Sequence, residues 1–185
     1  MSVKGELRKE LKAKRRAIAN KTEKDRKISD NLLSFEPYKK AQTVLFYAAL
    51  DDEINIDLCI KKALDSGKMV ALPVCTDKNG NMKFYYISSL SDIKTGFFGV
   101  REPDTDICNE VVDYSSSICI VPAIAYDKQG FRLGYGKGYY DRFLKKYISH
   151  SIGLCYNELI EDKLPIGEYD IPVDYIISEN GIITV

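Results

Sequence analysis

Between Asp127 and Asp141 the chain reads DKQGFRLGYGKGYYD, with Gly130, Gly134, Gly136 and Gly138 packed around Arg132 and Lys137. An apolar, strand-like run, Ile118 to Pro122, precedes it, and a helix-like run, Tyr139 to Tyr147, follows. Strand, glycine-rich turn with cations, then helix start is an arrangement that holds phosphate. Backbone N–H groups freed by glycine converge on the anion, and the helix N-terminus adds its dipole. This is not a Walker A loop. Gly136-Lys137 is followed by Gly138, not by the hydroxyl that Mg²⁺ needs, and Phe131 stands where the first glycine belongs. The dinucleotide pattern G-x-G-x-x-G fails too, because Tyr139 takes its last glycine. Glycines that serve only positive φ need no cations beside them, so Arg132 and Lys137 favour an anion site.

Two further cations, Lys4 and Arg8, are four residues apart on an N-terminal amphipathic run. At about 100° per residue both lie beside the Leu7/Leu11 stripe, and Arg15 falls near them. Cations flanking a buried stripe sit where a helix meets the protein body. Lys9, Lys12 and Lys14 read as a solvated face. Cys59, Cys75, Cys108, Cys119 and Cys155 make an odd count of five with no C-x-x-C pair, which reads as reduced thiols. The only histidine, His150, sits between serines at an expected loop and reads as a surface residue. No Ser/His/Asp or Cys/His constellation is visible.

The elements that must position these groups follow from periodicity. Helices are expected over residues 2–19 and from a Thr22 cap to about Phe35, then over 56–65. Strands are expected at 42–48, 69–73, 83–87, 118–121, 151–154, 174–177 and 182–185. Asn79-Gly80 marks a hairpin, 91–113 reads as irregular, and 157–164 as a short helix or turn. Apolar strands alternating with helices predict a three-layer α/β/α fold with a mostly parallel central sheet and N-terminal helices. The 185 residues, 45% of them hydrophobic, suit one domain, 1–185. Lys+Arg and Asp+Glu are 27 each, so the charge balance argues against nucleic acid as a partner. No apolar run reaches transmembrane length, and the charged N-terminus lacks the apolar segment of a secretory signal. A cytoplasmic monomer without membrane partners is expected.

Set in order, the residues resemble a known family. Lys4-x-x-x-Arg8, Asp52-Glu53-Ile54, Gly99-Val100-Arg101-Glu102-Pro103, the run Arg132 to Asp141, and Leu164-Pro165 with Asp170 and Asp174 resemble the 5-formyltetrahydrofolate cyclo-ligases, from about residue 4 to residue 179. The resemblance implies an ATP-dependent reaction. ATP phosphorylates the formyl oxygen of 5-formyltetrahydrofolate, N10 attacks the activated carbon, and phosphate leaves to give 5,10-methenyltetrahydrofolate. No protein nucleophile is needed; alignment and charge neutralisation are.

Position by position, it implies that Lys4 and Arg8 contact the ATP phosphates, Arg8 also lying near the folate. Arg132, Leu133, Gly134, Tyr135, Gly136, Lys137, Gly138, Tyr139 and Tyr140 would cradle ATP. Lys137, with Arg132, would stabilise the transferring phosphoryl group. Asp141 and Asp170 would hold Mg²⁺, a hard cation suited to carboxylate oxygen. Glu53 would accept hydrogen bonds from the pterin, while Ala48, Phe98, Tyr135 and Tyr139 would line the folate pocket. Two positions depart from the pattern: Tyr135 stands where some members carry Arg, and Asn55-Ile56 follows Glu53-Ile54 where Asp/Glu-Thr is more usual. A phospho-ligand isomerase of similar layered fold, and a non-enzymatic nucleotide-binding module, are the competing readings. The first calls for an acid–base pair near the loop; the second has no use for Glu53 or the Asp141/Asp170 pair.

Overall fold

Ser117–Val121 (β6) is buried at all five positions, as a strand covered on both faces must be. It lies inside a seven-stranded sheet with Thr43–Leu45 (β1), Met69–Cys75 (β2), Met82–Ile87 (β3), His150–Leu154 (β9), Tyr175–Ser178 (β11) and Gly181–Thr184 (β12). The structure is a computed structural model that describes residues 3–77, 79–96 and 100–185. The spatial order is β12-β11-β9-β6-β1-β2-β3. The five central strands run parallel, and both edge strands, β3 and β12, pair antiparallel to their neighbours. The expected mostly parallel α/β sheet is thus observed. No described helix is long and apolar enough to cross a membrane.

The winding direction reverses at β1. Asp57–Asp65 (α4) carries the chain from β1 outward to β2, whereas Tyr139–Leu144 (α5) lies in the connection from β6 to β9 on the other side. Right-handed crossovers in opposite directions put these two helices on opposite faces of the sheet. They also open a crevice between the C-terminal ends of β1 and β6, where doubly wound sheets bind ligands. Val3–Arg16 (α1) packs Leu11 into the core, and Lys21–Ser34 (α2) buries Ile28 and Leu32, packing against β11 and β12. Glu36–Lys40 (α3) then leads into β1. One contiguous apolar cluster runs from Leu11 to Ile177.

Several expected boundaries move. α1 ends at Arg16, and α2 starts at Lys21 behind Asn20 at φ 55°, with no side-chain cap, so Thr22 is not the cap. β1 stops at Leu45 because the chain leaves the sheet to carry residues 47–53 over the strand ends; Phe46 makes one last bond to Ala71 O at 2.9 Å. The segment read as irregular contains a hairpin, Ile93–Thr95 (β4) with Arg101–Pro103 (β5). α5 ends at Leu144, not Tyr147, because Lys146 and Tyr147 bond three residues back and tighten the last turn. A small second sheet was not expected: Ala125–Asp127 (β7), Arg132–Leu133 (β8) and Ile160–Glu161 (β10), in the order β10-β7-β8. The β7–β8 hairpin takes Gly130 into its own turn at φ 82°, so the phosphate-type loop shrinks to Gly134–Gly138.

Candidate active site

The loop Gly134–Gly138 emerges from β8 beneath α1. Gly136 and Gly138 hold φ of 92° and 72°, a left-handed backbone that other residues adopt with strain. Gly136 also faces Arg8: an added Cβ would lie 3.3 Å from its Cζ. Arg8 Nε donates to Gly134 O at 2.8 Å, pinning α1 on the loop. α5, which starts at Tyr139, is only six residues long, so its dipole adds little and the cations carry the positive field.

These groups line a cleft of about 810 Å³ at the crevice between β1 and β6. Lys4, Arg8, Ala48, Glu53, the whole segment from Arg132 to Asp141, and Asp170 all line it, as do Tyr47, Cys75, Arg101, Arg142 and Lys145. Phe98, the remaining expected folate contact, lies outside the described residues. The cleft brings chain segments more than a hundred residues apart into one wall.

The charges divide into committed and uncommitted ones. Lys4 pairs with Asp170 Oδ2 at 2.5 Å, and the same oxygen accepts from Gly167 N at 2.8 Å. Arg132 donates to Ile171 O at 2.7 Å and to Asp141 Oδ1 at 2.5 Å, and that oxygen also takes Ile171 N at 3.2 Å. Arg132 therefore holds Asp141 and the chain that follows Asp170. Lys137 is exposed, and no hydrogen bond or ion pair engages its ammonium among the described residues. Its side chain is an uncommitted cation set between Gly136 and Gly138 at the cleft.

The opposite wall is buried and polar. Glu53 is 5% exposed and accepts from Leu50 N at 2.9 Å and from the Tyr135 hydroxyl at 2.8 Å. Burial raises its carboxyl above the usual range, opposed by the Leu50 N–H, the Tyr135 hydroxyl and the charge of Arg15. Arg15 donates to the Tyr135 hydroxyl at 2.8 Å and to Ala123 O at 3.1 Å, and pairs with Asp52 at 2.7 Å. Burial also raises the phenols of Tyr135 and Tyr139, so both are neutral donors. Tyr139 donates to Asp77 O at 2.8 Å, joining the loop to the β2–β3 turn. The Tyr140 hydroxyl is buried without a partner among the described residues.

Sequence reasoning did not assign Arg15 or Arg142 to the site. Arg15 follows Arg8 by seven residues, two helical turns, which is the signal that could have found it. Arg142 donates to Lys137 O at 2.8 Å and braces the loop from α5, a contact with no local signature. His150 is the exposed first residue of β9, not a loop residue, with its ring 5.7 Å from that of Tyr175. All five cysteines are free; Cys59, Cys119 and Cys155 are buried.

A family profile described as the 5-formyltetrahydrofolate cyclo-ligase family matches residues 1–179. Over 194 residues the chain is 26% identical to the 5-formyltetrahydrofolate cyclo-ligase of Mus musculus, covering 97% of this chain and 95% of that one. It is 26% identical over 178 residues to the enzyme of the same name from Escherichia coli (strain K12), covering 93% and 98%. Among solved structures, the NMR structure of Aquifex aeolicus 5,10-methenyltetrahydrofolate synthetase superposes with a TM-score of 0.86 at 30% identity, covering 99% of this chain and 93% of that one. A 5,10-methenyltetrahydrofolate synthetase from Mycoplasma pneumoniae shares the fold, with a TM-score of 0.76 at 23% identity, covering 96% and 99%.

Proposed function

The chain belongs to the 5-formyltetrahydrofolate cyclo-ligase family, and we propose that it converts 5-formyltetrahydrofolate to 5,10-methenyltetrahydrofolate by spending ATP, with release of ADP and phosphate. The observation that carries this reading is the two-sided cleft. One wall is a glycine loop with the uncommitted cation Lys137, and the other holds the buried carboxylate Glu53. Such a cleft suits two substrates, an anionic phosphate donor and a heterocycle rich in N–H donors.

The chemistry needs positioning and charge neutralisation more than a protein nucleophile. Lys137 meets the transferring phosphoryl group. Arg8 holds the loop through Gly134 and adds charge beside Gly136. Lys4 leaves Asp170 to meet the nucleotide phosphates. Arg132 fixes Asp141, so its part is to orient that carboxylate. Glu53 accepts from the pterin, with Ala48 and Tyr139 lining the pocket. The formyl oxygen takes the γ-phosphoryl group, N10 then attacks the formyl carbon, and phosphate departs.

Mg²⁺ fits the donor set. Asp141 Oδ2 and Asp170 Oδ1 accept no hydrogen bond among the described residues, and both are hard oxygen ligands. Two carboxylates would leave the remaining positions of such an ion to waters and phosphate oxygens. Bound there, Mg²⁺ would supply charge neutralisation on the phosphates. We further propose that the chain acts as one cytoplasmic, monomeric catalytic domain on small molecules, without nucleic acid or membrane. The test is the near-ultraviolet absorbance of the methenyl product. It should rise only with 5-formyltetrahydrofolate, ATP and Mg²⁺ together, and no rise would refute the activity.

A further inference from the structure

Tyr135 sits in the glycine loop between Gly134 and Gly136, yet its hydroxyl reaches the opposite wall. It lies 2.8 Å from Glu53 Oε1 and 2.8 Å from Arg15 Nη2. The direction of these bonds is forced. A guanidinium only donates and a carboxylate only accepts, so the single hydroxyl proton points to Glu53 and a lone pair takes Arg15. With Leu50 N on Oε2, both carboxylate oxygens of Glu53 are held and its plane is set. Tyr135 is itself held on both sides: Lys12 Nζ stands 4.4 Å over its ring, and Arg15 is fixed by Asp52 and Ala123 O.

We propose that Tyr135 is a positioning residue that orients Glu53 toward the folate and ties the nucleotide loop to that carboxylate. The inference rests on the folate reading above. It gives the tyrosine at this loop position a task that an apolar side chain could not perform. Any shift of the loop on nucleotide binding moves the donor of Glu53, so the two substrate sites share one hydrogen bond. The groups facing Glu53 are Arg15 on α1, Tyr135 in the loop, Asp52 beside it, Tyr47 after β1 and Tyr140 on α5. Of these, Tyr135 is the one that donates directly from the nucleotide side.

The test is Tyr135→Phe, which keeps the ring and removes the hydroxyl. The KM for 5-formyltetrahydrofolate should rise about tenfold, the scale of one hydrogen bond to a carboxylate, while kcat changes less than threefold. The effect should vanish in a Glu53→Gln background, because the tyrosine acts through that carboxylate. Independently of turnover, the carboxyl ¹³C resonance of Glu53 should titrate at higher pH in Tyr135→Phe, since a bond favouring the ionised form is gone. Active wild type with an unchanged folate KM in Tyr135→Phe, or additive effects of the two substitutions, would overturn the inference and leave the activity standing. An unchanged Glu53 titration would overturn it too. Wild type that does not turn over 5-formyltetrahydrofolate would sink the folate reading, and the coupling to folate with it, whatever the titration shows.

Discussion

The Lys4 ammonium lies 2.5 Å from Asp170 Oδ2, joining the first turn of α1 to a turn 166 residues further along the chain. Both side chains are partly exposed, at 28% and 23%, so the pair contributes about 0.5–1 kcal/mol and not several. Burial alone would raise the Asp170 carboxyl, but the Lys4 ammonium and the Gly167 N–H outweigh it and hold the group below its ordinary value. A carboxyl depressed in the folded state stabilises the fold above its unfolded pKa and loses that contribution as pH falls through the folded one.

Lys4→Met should therefore lower Tm at neutral pH by about 1–4 °C. The gap from wild type should close as pH falls from about 4 to below the depressed value. Thermal melts across that range check this, and a gap that persists in strong acid would mean the pair is not its source. At neutral pH the same variant should also raise the KM for ATP.

The Lys137 ammonium has no partner to lose among the described residues. Lys137→Ala should leave the melting curve in place and cut kcat about 100-fold or more, as loss of one transition-state charge stabiliser does. Steady-state kinetics beside a thermal melt separate the two effects. Near-normal kcat would remove Lys137 from phosphoryl transfer.

Arg132 shows the opposite pattern. Its side chain is 5% exposed and serves both Asp141 and Ile171 O. Arg132→Met leaves Ile171 O without this donor and Asp141 Oδ1 with Ile171 N alone, and should cost about 3 kcal/mol, or roughly 10 °C in Tm. Asp141→Asn keeps an oxygen for Arg132 and should melt closer to wild type, but need more Mg²⁺ for half-maximal rate. A Mg²⁺ titration of the initial rate measures this. An unchanged requirement in both Asp141→Asn and Asp170→Asn would exclude these carboxylates as the metal site.

The thiols divide by burial. Burial pushes Cys59 up to about 11 and Cys155 up to about 12, and raises Cys119 further. An aromatic disulfide reagent at neutral pH should leave these three unmodified in the native protein and reach only Cys75 and Cys108, slowly, since both of those thiols are also raised. Cys75 lines the cleft, so ATP with folate should protect it and leave Cys108 reactive. Peptide mapping of the modified protein gives the pattern.

Much of this protein is legible in its sequence because the signals are local. Spacing placed Lys4 and Arg8 on one helix edge, Asn79-Gly80 marked a hairpin, and apolar runs picked out β6 and residues 151–154 of β9 as strands. The loop glycines and Lys137 stand out by residue type, since few local structures other than an anion site need that combination. What tertiary structure decided is which groups are committed and which are free. Gly130 belongs to the turn of the β7–β8 hairpin, not to the loop that follows it. Arg132, which reads as a phosphate ligand, spends two donors on Asp141 and Ile171. Tyr135, which reads as a missing cation, reaches Glu53 82 positions back in the chain. Hydrogen-bond partners are chosen by proximity in space. That proximity is set by the reversal of winding at β1, which no local pattern encodes.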